Sequence, residues 1–127
     1  MGNKKILVVE DDPDVRLGYR VLLRAHNYET CFAADSIAAV SEARKQQPDL
    51  ILLDLGLPAG DGFTVLQRFK TTILGMIPVI VVSARAPHQN KERALQAGAS
   101  AYLQKPWDDD ELLSTIRSLL GEEAPAP

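Results

Sequence analysis

The stretch Ile6-Leu7-Val8-Val9-Glu10-Asp11-Asp12-Pro13 carries two structural signals side by side. Ile6 to Val9 is a short apolar run, largely β-branched and without alternation, the pattern of a strand covered on both faces. Asp12-Pro13 reads as a helix start. An Asp side chain caps free backbone N–H groups, and Pro suits the first helical position because its missing N–H would have no partner there. Val15, Tyr19, Leu22 and Leu23 follow at helical spacing. The stretch therefore predicts a strand, an acidic turn and a helix.

The same unit recurs along the chain. Strong apolar runs stand at Leu50 to Leu53 and at Ile77 to Val82, the latter broken only by Pro78; weaker ones stand at Tyr28 to Ala33 and Ala99 to Leu103. Between them lie amphipathic segments. Ser36 starts a second helix that ends before Pro48. Asp61-Gly62 opens a third, carrying Phe63, Leu66, Phe69 and Lys70, with Gly75 beyond it. A fourth runs from about His88 to Gln96 and stops at Gly98. Asp108 to Asp110 open a fifth, with Leu112, Leu113, Ile116, Leu119 and Leu120 on one face and Gly121 as its stop. Five strand–helix units predict an α/β fold, a doubly wound parallel sheet with helices on both faces and right-handed crossovers. The flavodoxin-like strand order 2-1-3-4-5 places the three strongest runs in the middle and the two weaker ones at the edges.

Composition narrows the function classes. A length of 127 residues suits one domain, read as residues 1–121 with a polar, Pro/Ala-rich tail or linker stub at 122–127. Hydrophobic residues make up 46% and charged residues 24%, which separates the chain from disordered sequences. A net charge of −3 argues against a general nucleic-acid binder, and no helix reads as a DNA-reading element, so direct DNA binding is not expected. Cys31 is the single cysteine, which excludes an internal disulfide and thiolate-rich metal sites. It reads as a small buried hydrophobe. No apolar run is long enough to span a membrane and the first residues lack a secretory apolar region, so a cytoplasmic location is expected.

In a parallel sheet every strand ends on the same edge, and ligands bind there, where the strand order reverses. Glu10, Asp11 and Asp12 follow the first strand, Asp54 ends the third, Ser83 ends the fourth and Lys105 follows the fifth. Crowded carboxylates repel one another, and a hard divalent cation such as Mg²⁺ relieves that conflict through oxygen ligands. A carboxylate beside such a cation and an ammonium is a competent nucleophile towards a phosphoryl group. The constellation thus suits the making and breaking of an acyl phosphate, with Ser83 as a hydrogen-bond donor. Other polar residues have plainer readings. Asp12 and Asp108 to Asp110 suit helix N-termini, and Asp14 suits the first-turn dipole. His26 and His88 have no partners at metal-ligand spacing. Gly56, Gly60 and Gly62 lack the dinucleotide-binding order, and no Walker motif or nucleophile elbow is present.

The chain resembles the response-regulator receiver domain of two-component signalling from Lys5 to about Leu120. The resemblance is carried by Ile6 to Pro13, Asp49 to Asp54 with Leu57-Pro58 and Asp61-Gly62, Val81-Val82-Ser83-Ala84, Gly98-Ala99, Ala101-Tyr102-Leu103 and Lys105-Pro106. It implies Asp54 as the phosphoacceptor, in a Mg²⁺-dependent reaction. Asp11 would ligate the metal directly and Glu10 directly or through water; Asp54 and the Gly56 backbone carbonyl would complete the protein ligands. Ser83 and Lys105 would hold the phosphoryl group, and Tyr102 would be the switch aromatic whose ring moves inward with Ser83. A cis Lys105–Pro106 peptide is implied too. The donor would be a sensor histidine kinase or a histidine phosphotransfer protein. Output would be a shift in binding of a downstream protein at the face formed by the fourth helix, fifth strand and fifth helix. Such a domain catalyses its own phosphorylation and dephosphorylation yet acts mainly as a switch. A phosphorylation-dependent dimer through that face is compatible with the resemblance but has no support in the residues.

The sequence departs from the commonest pattern at several positions. Glu10 stands where Asp is more frequent, Gly56 leaves no side chain over the phosphoryl group, and Trp107 stands where Phe is commoner. Arg85, two residues past Ser83, is expected with Gly56 to tune phosphoryl lifetime. The competing readings are a receiver-like binding module independent of phosphorylation and a small phosphatase. The complete acid, hydroxyl and lysine set argues against the first. Gly56 argues against the haloacid-dehalogenase type of the second, which needs a second Asp at that position.

Overall fold

The computed structural model describes residues 3–56, 62–71, 76–84 and 87–122. Strands and helices alternate: β1 Lys5–Val9, α1 Pro13–Ala25, β2 Glu29–Ala33, α2 Ser36–Gln46, β3 Leu50–Leu53, α3 Gly62–Lys70, β4 Val79–Ser83, α4 Pro87–Gln96, β5 Ala101–Gln104 and α5 Asp109–Leu120. The five strands form one sheet in the order β2-β1-β3-β4-β5, and every pairing is parallel. This is the expected flavodoxin-like arrangement. β1, β3 and β4 are almost wholly buried, whereas β2 and β5 carry exposed or half-buried positions, as edge strands should.

Alternate residues of each strand feed two cores. Leu7, Val9, Ile51, Leu53, Val79 and Val81 pack beneath α2, α3 and α4, through Ala39, Ala43, Leu66, Phe69 and Ala94. Ile6, Val8, Leu50, Leu52, Ile80 and Val82 pack beneath α1 and α5, through Tyr19, Leu23, Leu112, Leu113 and Ile116. Local chemistry sets the helix ends. The Asp12 carboxylate accepts from the N–H groups of Asp14 and Val15, and Asp108 accepts from Glu111. Asp35, one residue ahead of the expected start, caps α2 by accepting from Ala38. Gly98 and Gly121 take positive φ after α4 and α5, which a residue without Cβ adopts readily.

Glu122, read from the sequence as the first tail residue, is held at both ends. Its N–H donates to the Arg117 carbonyl at 2.8 Å, and its carboxylate accepts from the Tyr28 hydroxyl at 2.7 Å. Residues 123–127 lie outside the described residues, as do Leu57, Pro58, Gly60, Asp61, Gly75 and Arg85 and the side chain of His88. His26 is exposed, with Nδ1 3.0 Å from the Leu22 carbonyl oxygen. Among the described residues no helix is long and apolar enough to cross a membrane.

Cys31 is half-buried rather than fully buried, because β2 is an edge strand. Burial pushes its thiol up to about 11; Glu42 adds to the shift and Lys5 opposes it. Reaction proceeds through the thiolate, so alkylation of Cys31 by iodoacetamide at pH 8 is expected to be roughly a hundredfold slower than that of a free cysteine. The rate should climb with pH towards that value, and mass spectrometry of the alkylated protein over time measures it.

Candidate functional site

The strand order reverses between β1 and β3, and there an open parallel sheet leaves a crevice at the carboxyl ends of its strands. The Asp54 N–H donates to the Val9 carbonyl at 3.1 Å, which fixes the end of β3 beside the turn carrying Glu10 and Asp11. One carboxylate oxygen from each of Glu10, Asp11 and Asp54 lies within 4.8 Å of the others. Glu10 is buried, Asp54 half-buried and Asp11 exposed, so the cluster runs from the sheet edge out to solvent.

Lys105 enters from the far side of the sheet. Its N–H donates to the Ser83 carbonyl at 2.7 Å, holding the end of β5 against that of β4. Its Nζ lies 2.5 Å from Glu10 Oε1 and 3.4 Å from Asp54 Oδ2. The following Lys105–Pro106 peptide bond is cis. Burial raises the Glu10 carboxyl above the usual carboxylate range; the Lys105 hydrogen bond and the Asp12 N–H oppose this, and the Asp54 charge adds to it. Burial alone would lower the Lys105 ammonium, but its hydrogen bond to Glu10 and the charges of Asp54 and Glu10 outweigh it, so Lys105 titrates above its ordinary value.

The structure thus brings together Glu10, Asp11, Asp54 and Lys105 among the residues singled out from the sequence. Ser83, 2% exposed, ends the adjacent strand β4. Tyr102 pairs in register with Val81, and its ring is already packed in the core beneath α2, α3 and α4. Asp12 is spent on capping α1 and stands apart from the carboxylate cluster.

Several features had no signal in the sequence. The Gly56 N–H donates to Asp54 Oδ1 at 3.0 Å, and the Asp12 N–H to Glu10 Oε2 at 3.1 Å. Trp107 stacks on Tyr19 with ring centroids 4.1 Å apart and planes 8° from parallel, which ties the loop after Lys105 to α1. The first two are local bonds that any residue's backbone could make, and the stack joins segments far apart in sequence, so no spacing rule reports them.

A family model described as the response regulator receiver domain matches residues 6–117. The chain belongs to that family. Its relatives include the DNA-binding dual master transcriptional regulator RpaA of Synechocystis sp., 39% identical over 91% of this chain and 48% of RpaA. The polar-differentiation response regulator DivK of Brucella anthropi is 38% identical over 94% of this chain and 98% of DivK. The receiver spans about half the length of RpaA, KdpE and PhoB relatives and nearly all of DivK. Among solved structures it is similar to the receiver domain of sensor histidine kinase PA1611 from Pseudomonas aeruginosa PAO1, with TM-score 0.86 and 34% identity over 95% of this chain and all of that one. That structure has a magnesium ion coordinated in its active site cleft. A response regulator from Chloroflexus aurantiacus superposes with TM-score 0.89 at 29% identity, over 94% of this chain and 99% of that one.

Receiver domains of two-component systems bind Mg²⁺ at their acidic pocket and interact with histidine kinases or phosphotransfer proteins. The donor set of this receiver fits such an ion: hard carboxylate oxygens converge, and one lysine cannot neutralise all of them.

Gly62 supports the loop that carries Asp54. Its N–H donates to the Leu55 carbonyl at 3.3 Å. A Cβ there would stand 2.5 Å from Leu55 Cα and 3.0 Å from the Asp54 carbonyl oxygen, both rigid backbone atoms. Gly62→Ala must therefore push the loop away from α3, and a loss of about 1–3 kcal/mol is expected. Chemical denaturation should show it as a lower midpoint.

Proposed function

We propose that this receiver accepts a phosphoryl group on Asp54 from the phosphohistidine of a sensor kinase or phosphotransfer protein, with Mg²⁺ bound. The observation that carries the reading is the convergence of three carboxylates and one ammonium at a single sheet edge. An Asp54 oxygen attacks phosphorus, the P–N bond breaks, and the imidazole leaves with the electron pair and takes up a proton. Lys105 steadies the negative oxygens of the transferring group, and the Gly56 N–H orients the attacking carboxylate. Glu10, Asp11, Asp54 and the Gly56 carbonyl would hold Mg²⁺, which when bound neutralises charge on the carboxylates and phosphoryl oxygens.

The acyl phosphate adds charge and strong acceptors at the ends of β3, β4 and β5. Ser83 hydrogen-bonds the new group, and the position of Tyr102 follows it. The Tyr102 ring is buried in this structure, so the switch is a change in how firmly that buried position is held. The α4-β5-α5 face reads it out to a downstream protein. Gly56 and Arg85 set how readily water reaches the phosphoryl group.

Intact-mass spectrometry after incubation with acetyl phosphate tests the reading. The wild type with Mg²⁺ should gain the mass of one phosphoryl group, whereas the chelated protein and Asp54→Asn should gain none. If a phosphorylated histidine donor also leaves the wild type unlabelled, the proposal fails and a phosphorylation-independent binding module is the better reading.

A further inference from the structure

We infer that Arg16 is a positioning residue for the acid pair: from α1 it clamps the backbone of Glu10 and Asp11 and so fixes where two of the three clustered carboxylates stand. The inference rests on the reading of the acid cluster as a Mg²⁺ site. Arg16 Nη1 donates to the Glu10 carbonyl at 2.8 Å and to the Asp11 carbonyl at 3.1 Å. A terminal guanidinium nitrogen carries two hydrogens, so one atom can serve both acceptors.

The turn leaves these carbonyls without a main-chain partner. The β1 ladder ends at Val9, and the first α1 bond runs from the Arg16 N–H to the Asp12 carbonyl at 3.0 Å. Neither the Glu10 nor the Asp11 carbonyl accepts from a backbone N–H among the described residues. Arg16 supplies what neither ladder nor helix reaches.

The two acids depend on it unequally. Glu10 has other restraints: its N–H donates to Ala33 at 3.0 Å, and its carboxylate meets Lys105 and the Asp12 N–H. The only hydrogen bond of Asp11 among the described residues is the one from Arg16. Asp11 is also exposed, so without the clamp little holds its carboxylate near the others. Arg16 forms no ion pair with a carboxylate among the described residues. It therefore holds the turn without occupying a carboxylate oxygen that a cation would need.

Isothermal titration calorimetry with Mg²⁺ on the unphosphorylated full chain tests this. The variants are Arg16→Met, which keeps the apolar stem and removes donors and charge, and Arg16→Lys, which restores charge and a donor. Residues that orient metal ligands from behind typically change affinity by about 10–100-fold, so Arg16→Met should bind Mg²⁺ about tenfold more weakly, with Arg16→Lys between it and the wild type. Labelling by acetyl phosphate should slow in Arg16→Met at low Mg²⁺ and recover at saturating Mg²⁺, because Asp54 and Lys105 are intact. A purely structural defect would not be repaired in that way. Affinity of folded Arg16→Met within ~2-fold of the wild type would overturn the inference, being well below the effect expected of such a residue. Should that variant not fold, Arg16→Gln takes its place under the same threshold. A wild type that binds no Mg²⁺ would instead overturn the reading of the site itself.

Discussion

Mutual repulsion among the carboxylates of Glu10, Asp11 and Asp54 is the constraint around which this receiver is arranged. Like charges within 4.8 Å of one another cannot all ionise cheaply where one of them is buried. The fold meets part of the difficulty with Lys105, whose Nζ reaches Glu10 and Asp54 together. It meets more with dipoles, since backbone N–H groups of Asp12 and Gly56 point at carboxylate oxygens. Two of these donors are held by secondary structure. The Asp12 backbone opens α1, and Lys105 is anchored through its own N–H to the end of β4.

That anchoring explains why the sheet must be parallel and deeply buried. Parallel pairing brings the carboxyl ends of β1, β3, β4 and β5 to one edge, and the two apolar cores keep them there. A packed core resists small displacements, so a site assembled from strand ends inherits its rigidity. The contacts that continue the site outwards are of the same kind: Gly62 pressed on Leu55, Trp107 stacked on Tyr19, and Arg93 over the Phe63 ring at 3.8 Å. The last of these joins α4 to the start of α3, next to the segment that bears Asp54.

Much of this was legible in the sequence, for a physical reason. Strands buried on both faces must be continuously apolar, and Ile6–Val9, Leu50–Leu53 and Val79–Val82 are. Helix starts need side-chain acceptors, and Asp12 and Asp108 supply them. Once topology was read, the residues just past each strand named the cluster. What could not be read depends on angles and distances between individual atoms. Topology brings Lys105 to the same edge as Glu10, 95 positions away, but does not show that its ammonium pairs directly with the Glu10 carboxylate. The Gly56 and Arg16 contacts involve backbone atoms, which every residue has, so residue identity carries little trace of them. Cys31 came out half-buried because apolar character signals a strand but not how well an edge is covered.

The charge count at the site is the step that joins structure to chemistry. Three carboxylates against one ammonium leave two negative charges uncompensated when all are ionised. Converting the Asp54 carboxylate into an acyl phosphate would replace one negative charge by about two at neutral pH. Lysine alone therefore falls further behind as the reaction proceeds. A divalent cation at Glu10, Asp11 and Asp54 would close the initial deficit, while Arg16, bonded to the Glu10 and Asp11 carbonyls, holds the turn that carries two of these acids. The raised titration of Lys105 points the same way: its ammonium is held charged by the deficit it partly fills. The site is therefore built around more negative charge than its own residues neutralise, which favours a bound cation and makes added phosphoryl charge a strong perturbation.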